Sequence, residues 1–507
     1  MTWHFRFTTP RICLSLPARS VRELQRLVHA YEGRVDLLEV RLDWLRDWTV
    51  EDLEFLRDRP VLWTFRPVRQ GGEFAGTDSE RVEVLRQIGR RRLGQWVDIE
   101  FDVWPPLITE LRSYFKVLLS YHQYDGHLPP WPGLRDLFRM KPHDAVKIAL
   151  RLDRWADIVR FLDIVEACQA EGREGVWVVM GPRGTWLRIL TPWFGGLWTY
   201  ASPGGTVQTT AEGQVAVEEL WHVYRYPEMA PDHRIYGILG DPVAHSVSPY
   251  IHNRLFQEAG LAAHYVPFAV DDLTAFWSLV RFLPVGGLSV TIPHKIGILQ
   301  HLDDVDEAAR SIGAVNTVVH REDRWLGSNT DWVGFWRPLV RRFGARSWRA
   351  LIVGAGGAAH AVAYALRRAG CPFWVTNRTY EKAEALARRF GGTAVPWDAV
   401  DPTVFDLLVH TTPLGMAPHT DQMPPIPDAW LAGKVVYDLV YNPPETRLLR
   451  QARAVGAQAV LSGLPMLAEQ AAEQFRLWTL QTVRPDDVAA LAQAYLERQG
   501  EMFNIFE

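Results

Sequence analysis

Eight short runs of β-branched and aliphatic residues crowd the first 202 positions: RICLSL (11–16), DLLEVRL (36–42), VLWTFR (61–66), WVDIEF (96–101), KVLLSY (116–121), AVKIAL (145–150), VWVVM (176–180) and LWTYAS (197–202). Most are followed by a stretch able to form a helix, so strand and helix alternate, the signature of βα units and a parallel sheet. Eight such units in about 200 residues match a closed (β/α)8 barrel in number and size. An open doubly wound sheet is the other fold that the alternation allows. In a barrel, function gathers on polar residues at the C-terminal ends of the strands, where the loops build the site.

Those ends are polar here. Glu39 and Arg41 close the second run, Arg66 the third, Asp98 and Glu100 the fourth and His122 the fifth, while Lys147 lies within the sixth. MGPRGTWLR after the seventh run carries Arg188, and TTAEGQ after the eighth carries Thr210 and Gln214. Lys147 has apolar neighbours on both sides. Alone, such a lysine is more often a strand-end residue whose ammonium snorkels to water. Desolvation, in contrast, favours the neutral amine, a nucleophile toward a ketone. His122 alone reads as a structural or surface histidine. Beside a lysine on the next strand it becomes an acid/base partner for Schiff-base chemistry.

A second fold begins after YRYPEMAPDHR (224–234), whose two prolines and weak periodicity mark a joint. IYGILGDPVAHSVSPYIHN (235–253) runs from strand through a Gly/Pro turn into a helix, with Ser246 and Ser248 flanking the turn. Capping alone would account for both serines. LSVTIPHK ends in Lys295, GAVNT carries Asn316 and GSNTDWVG carries Asp331. A lysine and an aspartate brought together can hold and transfer a proton, because each shifts the other's charge state. RALIVGAGGAAHAVAYALRRAG (349–370) is a hydrophobic strand, a glycine turn and an alanine-rich helix in direct succession. In that context Gly354, Ala355, Gly356, Gly357 and Ala358 receive a pyrophosphate. The next strand ends FWVTNRTYEKA (373–383). A free 2′-hydroxyl calls for an acid there; Asn377, Arg378, Thr379 and Lys382 instead offer donors and positive charge to a 2′-phosphate, so NADP is expected over NAD. DLLVHTTPLGM (406–416) and VVYDLVYNP (435–443) complete a doubly wound sheet. Gln470 follows on the amphipathic helix LPMLAEQAAEQFRLWT (464–479), where it could equally face solvent.

Composition narrows the partners. At 507 residues the chain exceeds one core, and about three domains of ~150 residues are expected, fewer if one is a barrel. With 48% hydrophobic and 22% charged residues and a net charge of −4, it offers no field for polyanions, so nucleic acid is not an expected partner. MTWHFRFTTPR lacks the apolar core and cleavage site of a signal peptide, and no 18-residue apolar run occurs, so neither export nor a membrane span is expected. Cys13, Cys168 and Cys371 are far apart and lack ligand spacing, which reads as buried thiols in a reducing, cytoplasmic setting with no metal. Oligomeric state is not fixed by any of these features.

On these motifs the chain resembles two known families. Residues 10 to 225 resemble type I 3-dehydroquinate dehydratase through EVRLD (39–43), TFRPVRQGG (64–72), SYH (120–122), VKIA (146–149), MGPRGTWLR (180–188) and TAEGQ (210–214). The resemblance implies that Lys147 forms an imine with the substrate ketone, and that His122 removes a C2 proton and returns a proton to the departing hydroxyl. By the same resemblance Glu39, Arg41 and Arg66 bind ring hydroxyls, Arg188 pairs bidentately with the carboxylate, and Thr210 and Gln214 close over the product. Residues 234 to about 498 resemble shikimate dehydrogenase through GDPVAHSVSPYIHN, SVTIPHK, GAVNT, NTDWVG, GAGGAA, NRT, TTPLGM, YNPPET and GLPMLAEQ. Here the resemblance implies Ser246 and Ser248 on the substrate carboxylate, and Thr291, Asn316 and Gln470 on ring hydroxyls. Lys295 and Asp331 become the catalytic pair, Tyr441 helps close the pocket, and Gly463 joins the cofactor set. Three positions depart from the families: Gln70 replaces a glutamate expected to hydrogen-bond the catalytic histidine, Glu212 replaces a proline of the closing loop, and His410 replaces an asparagine before TTPLGM.

The two resemblances together imply a bifunctional α/β enzyme that dehydrates 3-dehydroquinate and reduces the 3-dehydroshikimate formed to shikimate with NADPH. The expected divisions are a TIM barrel at 1–225, a joint at 226–233, a substrate domain at 234–335 completed by the helices of 464–498, and a Rossmann NADP domain at 336–463. Two alternatives stand beside it: a barrel that only binds or scaffolds, with Gln70 and Glu212 as its warning signs, and a dehydrogenase specific for quinate. Fusion invites substrate transfer between sites, but a tether only raises local concentration.

Overall fold

All eight runs form strands in the computed structural model, which describes residues 3–205 and 209–498. They are β1 (Ile12–Leu16), β2 (Leu37–Arg41), β3 (Val61–Thr64), β4 (Trp96–Glu100), β5 (Lys116–Gln123), β6 (Ala145–Arg151), β7 (Gly175–Met180) and β8 (Thr199–Ser202), with a short β9 (Val215–Ala216) beside β8. The order is β7-β6-β5-β4-β3-β2-β1-β8-β9, and the ladders are parallel. At the seam Gly175 bridges Gly196, and Leu197 N–H donates to Gly175 O at 2.9 Å, so the sheet closes on itself. The open-sheet alternative is thereby set aside.

Side chains alternate across a strand, so every second residue faces the barrel interior. Cys13, Leu37, Leu62, Leu118, Ala145, Val176 and Trp198 form an apolar floor, with Trp96 packed against it. Two residues further along the same faces stand Ser15, Glu39, Thr64, Asp98, Ser120, Lys147 and Tyr200, all buried. The interior therefore changes from apolar to polar toward the C-terminal ends of the strands.

By contact the chain divides into two units, one of residues up to Ile235 with Phe256–Pro284, the other of Tyr236–Leu255 with Val285–Arg498. In the first unit the joint after the barrel is packed rather than loose: Tyr226 is buried and its hydroxyl donates to Arg11 O at 3.3 Å. Residues 256–284 also group with the barrel. After β10 (Arg234–Gly240), they supply β11 (Ala263–Ala269) and the helix Leu273–Val280. Trp155, which opens the helix Trp155–Ala170, donates its Nε1–H to Ala269 O at 2.5 Å and its backbone N–H to Asp271 at 3.1 Å. Its ring stacks on Trp186 and meets Phe276 edge-on. A tryptophan buried this way removes roughly 200 Å² from water while satisfying its N–H.

The second unit holds two sheets. In one, β10, β12 (Val285–Val290), β14 (Thr317–Arg321), β15 (Arg324–Ser328) and β13 (Asp304–Val305) lie side by side in that order, with β14 antiparallel to β12 and β15. The other is wholly parallel and comprises β16 (Ala350–Val353), β17 (Phe373–Thr376), β18 (Thr393–Ala394), β19 (Leu407–His410), β20 (Val435–Asp438) and β21 (Ala459–Leu461). Its order, β18-β17-β16-β19-β20-β21, reverses direction between β16 and β19, the switch point at which such sheets bind ligands. Ala350 and Ile352 of β16 enter one core and Leu351 and Val353 another, so the sheet is buried on both faces. Among the described residues no helix is long and apolar enough to cross a membrane.

Candidate active sites

Lys147 stands in the polar layer of the barrel, 7% exposed, its Nζ donating to Asp98 Oδ2 at 3.1 Å and to the Tyr200 hydroxyl at 3.2 Å. Arg66 donates to Asp98 at 2.9 Å and to Glu100 at 3.2 Å, and its Nη1 lies 3.2 Å from His122 Nδ1. Burial pushes the Asp98 carboxyl up, but Arg66 and Lys147 outweigh it and hold the group well below the usual carboxylate range. Burial, reinforced by Arg66 and Lys147, holds His122 well below its ordinary value, so the imidazole is neutral near pH 7, its Nδ1 accepting from Arg66. Three adjacent strands, β4, β5 and β6, thus place an anion, a neutral imidazole and a lysine around one space.

Around this centre, Glu39 accepts from Thr64 Oγ1 at 2.9 Å and from the Ser15 hydroxyl. Thr210 Oγ1 lies 2.6 Å from Ser15 Oγ and 3.1 Å from Gln214 Oε1, which ties the TAEGQ loop to the layer. Arg41 donates twice to Asp43. Arg188 is 2% exposed; among the described residues no acid pairs with it and its Nε lacks a partner, so burial alone lowers the guanidinium to about 10. A buried cation in that state fits an incoming carboxylate. Of the departures, Glu212 forms an ion pair with Arg151 at 3.0 Å while its carbonyl accepts from Arg188 at 3.2 Å. Gln70 bonds Asp102 at 3.3 Å, and the polar contact of His122 is with Arg66.

In the second unit, Lys295 Nζ donates to Asp331 Oδ2 at 2.5 Å. Asp331 is the first residue of the helix Asp331–Phe343. Asn316 Nδ2 donates to Asp331 Oδ1 at 2.7 Å and lies 3.4 Å from Gln470 Oε1. That meeting depends on Gly334: a Cβ there would come within 2.7 Å of Met466 O, so only glycine lets the two helices approach this closely. Thr317 and the Thr330 N–H hold Asn316 Oδ1 at 2.8 and 2.7 Å, fixing the amide orientation. Ser246 Oγ accepts from Ser248 N at 3.2 Å. Among the described residues no hydrogen bond joins Ser246, Ser248, Thr291 or Tyr441 to the Lys295–Asp331 pair. Tyr441 is half-buried, and desolvation raises its phenol above the ordinary value.

A cleft of about 730 Å³ opens at the switch point, lined by Gly354, Ala355, Gly356, Asn377, Arg378, Thr379 and Lys382, and across from them by Thr411, Thr412 and Pro413. Gly354 has φ +115°, and a Cβ there would meet Thr411 Oγ1 at 2.4 Å. The twelve-residue helix Gly357–Arg368 starts at this edge and directs its N-terminal N–H groups there. Arg378 and Lys382 are exposed and belong to no ion pair among the described residues, as a 2′-phosphate site requires. The cradle and the two free cations fit a phosphorylated dinucleotide. Gly357 lies beside Lys295, whose Cδ is 3.7 Å from where its Cβ would be, so the Lys295–Asp331 pair adjoins the cleft. Ala358 follows in the first turn of that helix, whereas Gly463, the N-cap of Leu464–Thr479, packs against Leu439 instead of lining the cleft.

Sequence reasoning left Ser15, Thr64, Ser120 and Tyr200 unassigned and did not pair Asp98 with Lys147. The inward alternation carried the signal, because each shares its face with a residue that was singled out. In the second unit Thr317 and Thr330 were missed, as were the partners, Asp438 and Thr412, of the His410 already noted as a departure.

Comparison with known proteins matches the same segments. The family model of type I 3-dehydroquinase matches residues 12–231. Those of the shikimate dehydrogenase substrate binding domain, shikimate/quinate 5-dehydrogenase and the shikimate 5′-dehydrogenase C-terminal domain match residues 238–318, 340–407 and 463–484. A bifunctional 3-dehydroquinate dehydratase/shikimate dehydrogenase, chloroplastic, of Arabidopsis thaliana is 35% identical over 92% of this chain and 82% of its own length. A shikimate dehydrogenase (NADP(+)) of Oleidesulfovibrio alaskensis is 44% identical over 48% of this chain and 89% of its own. A crystal structure of shikimate dehydrogenase in complex with NADP+ superposes with a TM-score of 0.51 at 36% identity, covering 53% of this chain and 97% of that one.

Proposed function

The chain belongs to the family of bifunctional 3-dehydroquinate dehydratase/shikimate dehydrogenases, and from that premise we propose which of its residues carry each activity. It is a shikimate-pathway enzyme, a lyase that dehydrates 3-dehydroquinate and an NADP-dependent oxidoreductase that reduces 3-dehydroshikimate to shikimate.

In the barrel Lys147 is the imine-forming amine. Unprotonated, its Nζ adds to the ring ketone and water leaves, giving an iminium that acidifies the adjacent C2–H. His122 takes that proton, the resulting enamine expels the neighbouring hydroxyl, and His122 returns the proton to the leaving oxygen. Hydrolysis of the imine frees the product and the amine. Asp98, ionised beside Nζ, stabilises the cationic intermediates. Arg188 takes the carboxylate, Glu39, Arg41 and Arg66 the ring hydroxyls, and Thr210 and Gln214 close the loop. The observation that carries this reading is the buried Lys147, held between Asp98 and Tyr200 close to a neutral imidazole. Borohydride added during turnover of 3-dehydroquinate tests it: reduction of the imine leaves a covalent adduct, which peptide mass spectrometry must find on Lys147. An adduct elsewhere, or none, would remove Lys147 from this role.

NADPH, when bound, supplies the hydride. Gly354, Ala355, Gly356, Gly357 and Ala358 would cradle its pyrophosphate, and Asn377, Arg378, Thr379 and Lys382 its 2′-phosphate. Lys295 protonates the carbonyl oxygen as it becomes a hydroxyl, and Asp331 holds and recharges that ammonium. Ser246 and Ser248 bind the substrate carboxylate, Thr291, Asn316 and Gln470 the ring hydroxyls, and Tyr441 covers the pocket. The divisions 1–225, 226–233, 234–335 with 464–498, and 336–463 belong to the same proposal, as does a cytoplasmic location, which three buried free thiols support.

A further inference from the structure

His410 has no part in the chemistry above, yet it is fully buried at the C-terminal end of β19, at the switch point beside the cofactor cleft. In register it pairs with Asp438 on β20, so the two side chains emerge on the same face of the sheet. The Asp438 carboxylate lies 2.9 Å from His410 Nδ1 and accepts from Val440 N–H at 3.1 Å and Thr446 Oγ1–H at 2.5 Å. A carboxylate can only accept, so the Nδ1 proton is committed to it, and in the neutral ring Nε2 is left as an acceptor. Nε2 lies 2.5 Å from Thr412 Oγ1. The Thr412 hydroxyl therefore donates back into the sheet. One of its lone pairs takes Leu414 N–H at 3.3 Å, which leaves the other for the cleft that Thr412 lines. The Thr412 methyl packs against Gly354, 2.9 Å from where a Cβ would stand, which restricts rotation of the side chain.

We propose that His410 is a positioning residue for dinucleotide binding: with Asp438 it fixes the Thr412 hydroxyl as an acceptor for an N–H or O–H donor of the bound dinucleotide, such as a ribose hydroxyl or a carboxamide. The proposal rests on reading the cleft as the NADP site. It assigns a use to the histidine, which otherwise fills a core position where a leucine would avoid burying polar atoms.

The test is titration of NADP+ into the full-length protein, followed by tryptophan fluorescence or calorimetry, for the wild type, His410→Phe, Thr412→Val and the double variant. Each single change should weaken binding about fivefold, the worth of one neutral hydrogen bond, and the double variant should lose the same factor instead of the product. KM for NADPH should rise while kcat changes less than twofold, and dehydratase turnover, which uses neither residue, should stay at the wild-type rate. Should His410→Phe fail to fold, Asp438→Asn keeps the shape but no longer dictates which ring nitrogen carries the proton, and it should weaken NADP+ binding alike. Unchanged NADP+ affinity in these variants, or losses that multiply, would overturn the proposal while leaving the cleft's reading intact. A wild type that binds no NADP+ would overturn both.

Discussion

Lys147, Asp98 and Tyr200 come from three different strands, and they meet because each lies two positions beyond a floor residue on the same inward face. His122 reaches the same space one further alternation along β5, where a neutral imidazole can work as a base. Replacing it with alanine should lower dehydratase turnover by about 10² to 10⁴ while shikimate dehydrogenase turnover is unchanged, as separate assays on one preparation would read. The sign of its titration gives a second expectation. Burial with Arg66 and Lys147 lowers the folded value, so the imidazole stays neutral below its ordinary range, and the acid limb of dehydratase kcat/KM in the free enzyme should fall below about pH 6.5. An acid limb at or above that pH would contradict the environment described. Lys147 and His122 stood out in the sequence because an ionisable side chain inside or just past an apolar strand is conspicuous. Ser15, Thr64, Ser120 and Tyr200 did not, since a hydroxyl in a strand is ordinary until its face is known. Gln70 shows the limit of motif reading, because it marks a lost carboxylate without showing that Arg66 is what touches His122.

The strands of the barrel begin and end within two or three residues of the apolar runs, and β5 continues to Gln123, which carries His122 into the ladder. What the runs could not show is the grouping of Phe256–Pro284 with the barrel. Its anchors, Ala269 and Phe276 against Trp155, lie more than a hundred positions apart in the chain, and no local pattern announces such a contact. Trp155→Ala should cost about 3–5 kcal/mol in the urea transition that reports barrel unfolding. A barrel ending at Ile235, with Trp155 uncovered, should melt earlier than the same unit in the full chain. Equal transitions would mean that the segment contributes nothing to it. The same segment holds His264, whose Nε2 lies 2.9 Å from His233 Nδ1 and whose Nδ1 lies 3.1 Å from the Tyr224 backbone carbonyl oxygen. Burial lowers His264 to about 4. Its folded value lies below its unfolded one, so the stability it contributes is present above about pH 6.5 and is lost as pH falls toward 4, by roughly 3 kcal/mol. His264→Gln should flatten the fall in stability between pH 7 and 4, and an unchanged fall would locate the acid sensitivity elsewhere.

Two activities on one chain make the product of the first the substrate of the second, and the order of the motifs along the sequence was enough to read that. Whether intermediate passes between the sites is a question of kinetics, which a transient-time measurement answers: a full lag in shikimate formation, equal to that of the separated activities, would exclude transfer. The departures at Gln70 and Glu212 are compatible with catalysis because the groups around Lys147 are intact without them, Glu212 being engaged by Arg151. A barrel reduced to a scaffold would have no need of a buried lysine, a neutral imidazole and a buried Arg188 that no acid pairs with among the described residues. The most direct test supplies the purified full-length protein with 3-dehydroquinate and NADPH, identifies the product by chromatography, and repeats the reaction with Lys147→Ala. Shikimate from the wild type, none from the variant, and shikimate from both when 3-dehydroshikimate is supplied is the predicted result. Quinate as the product, or shikimate from 3-dehydroquinate in the variant, would contradict it.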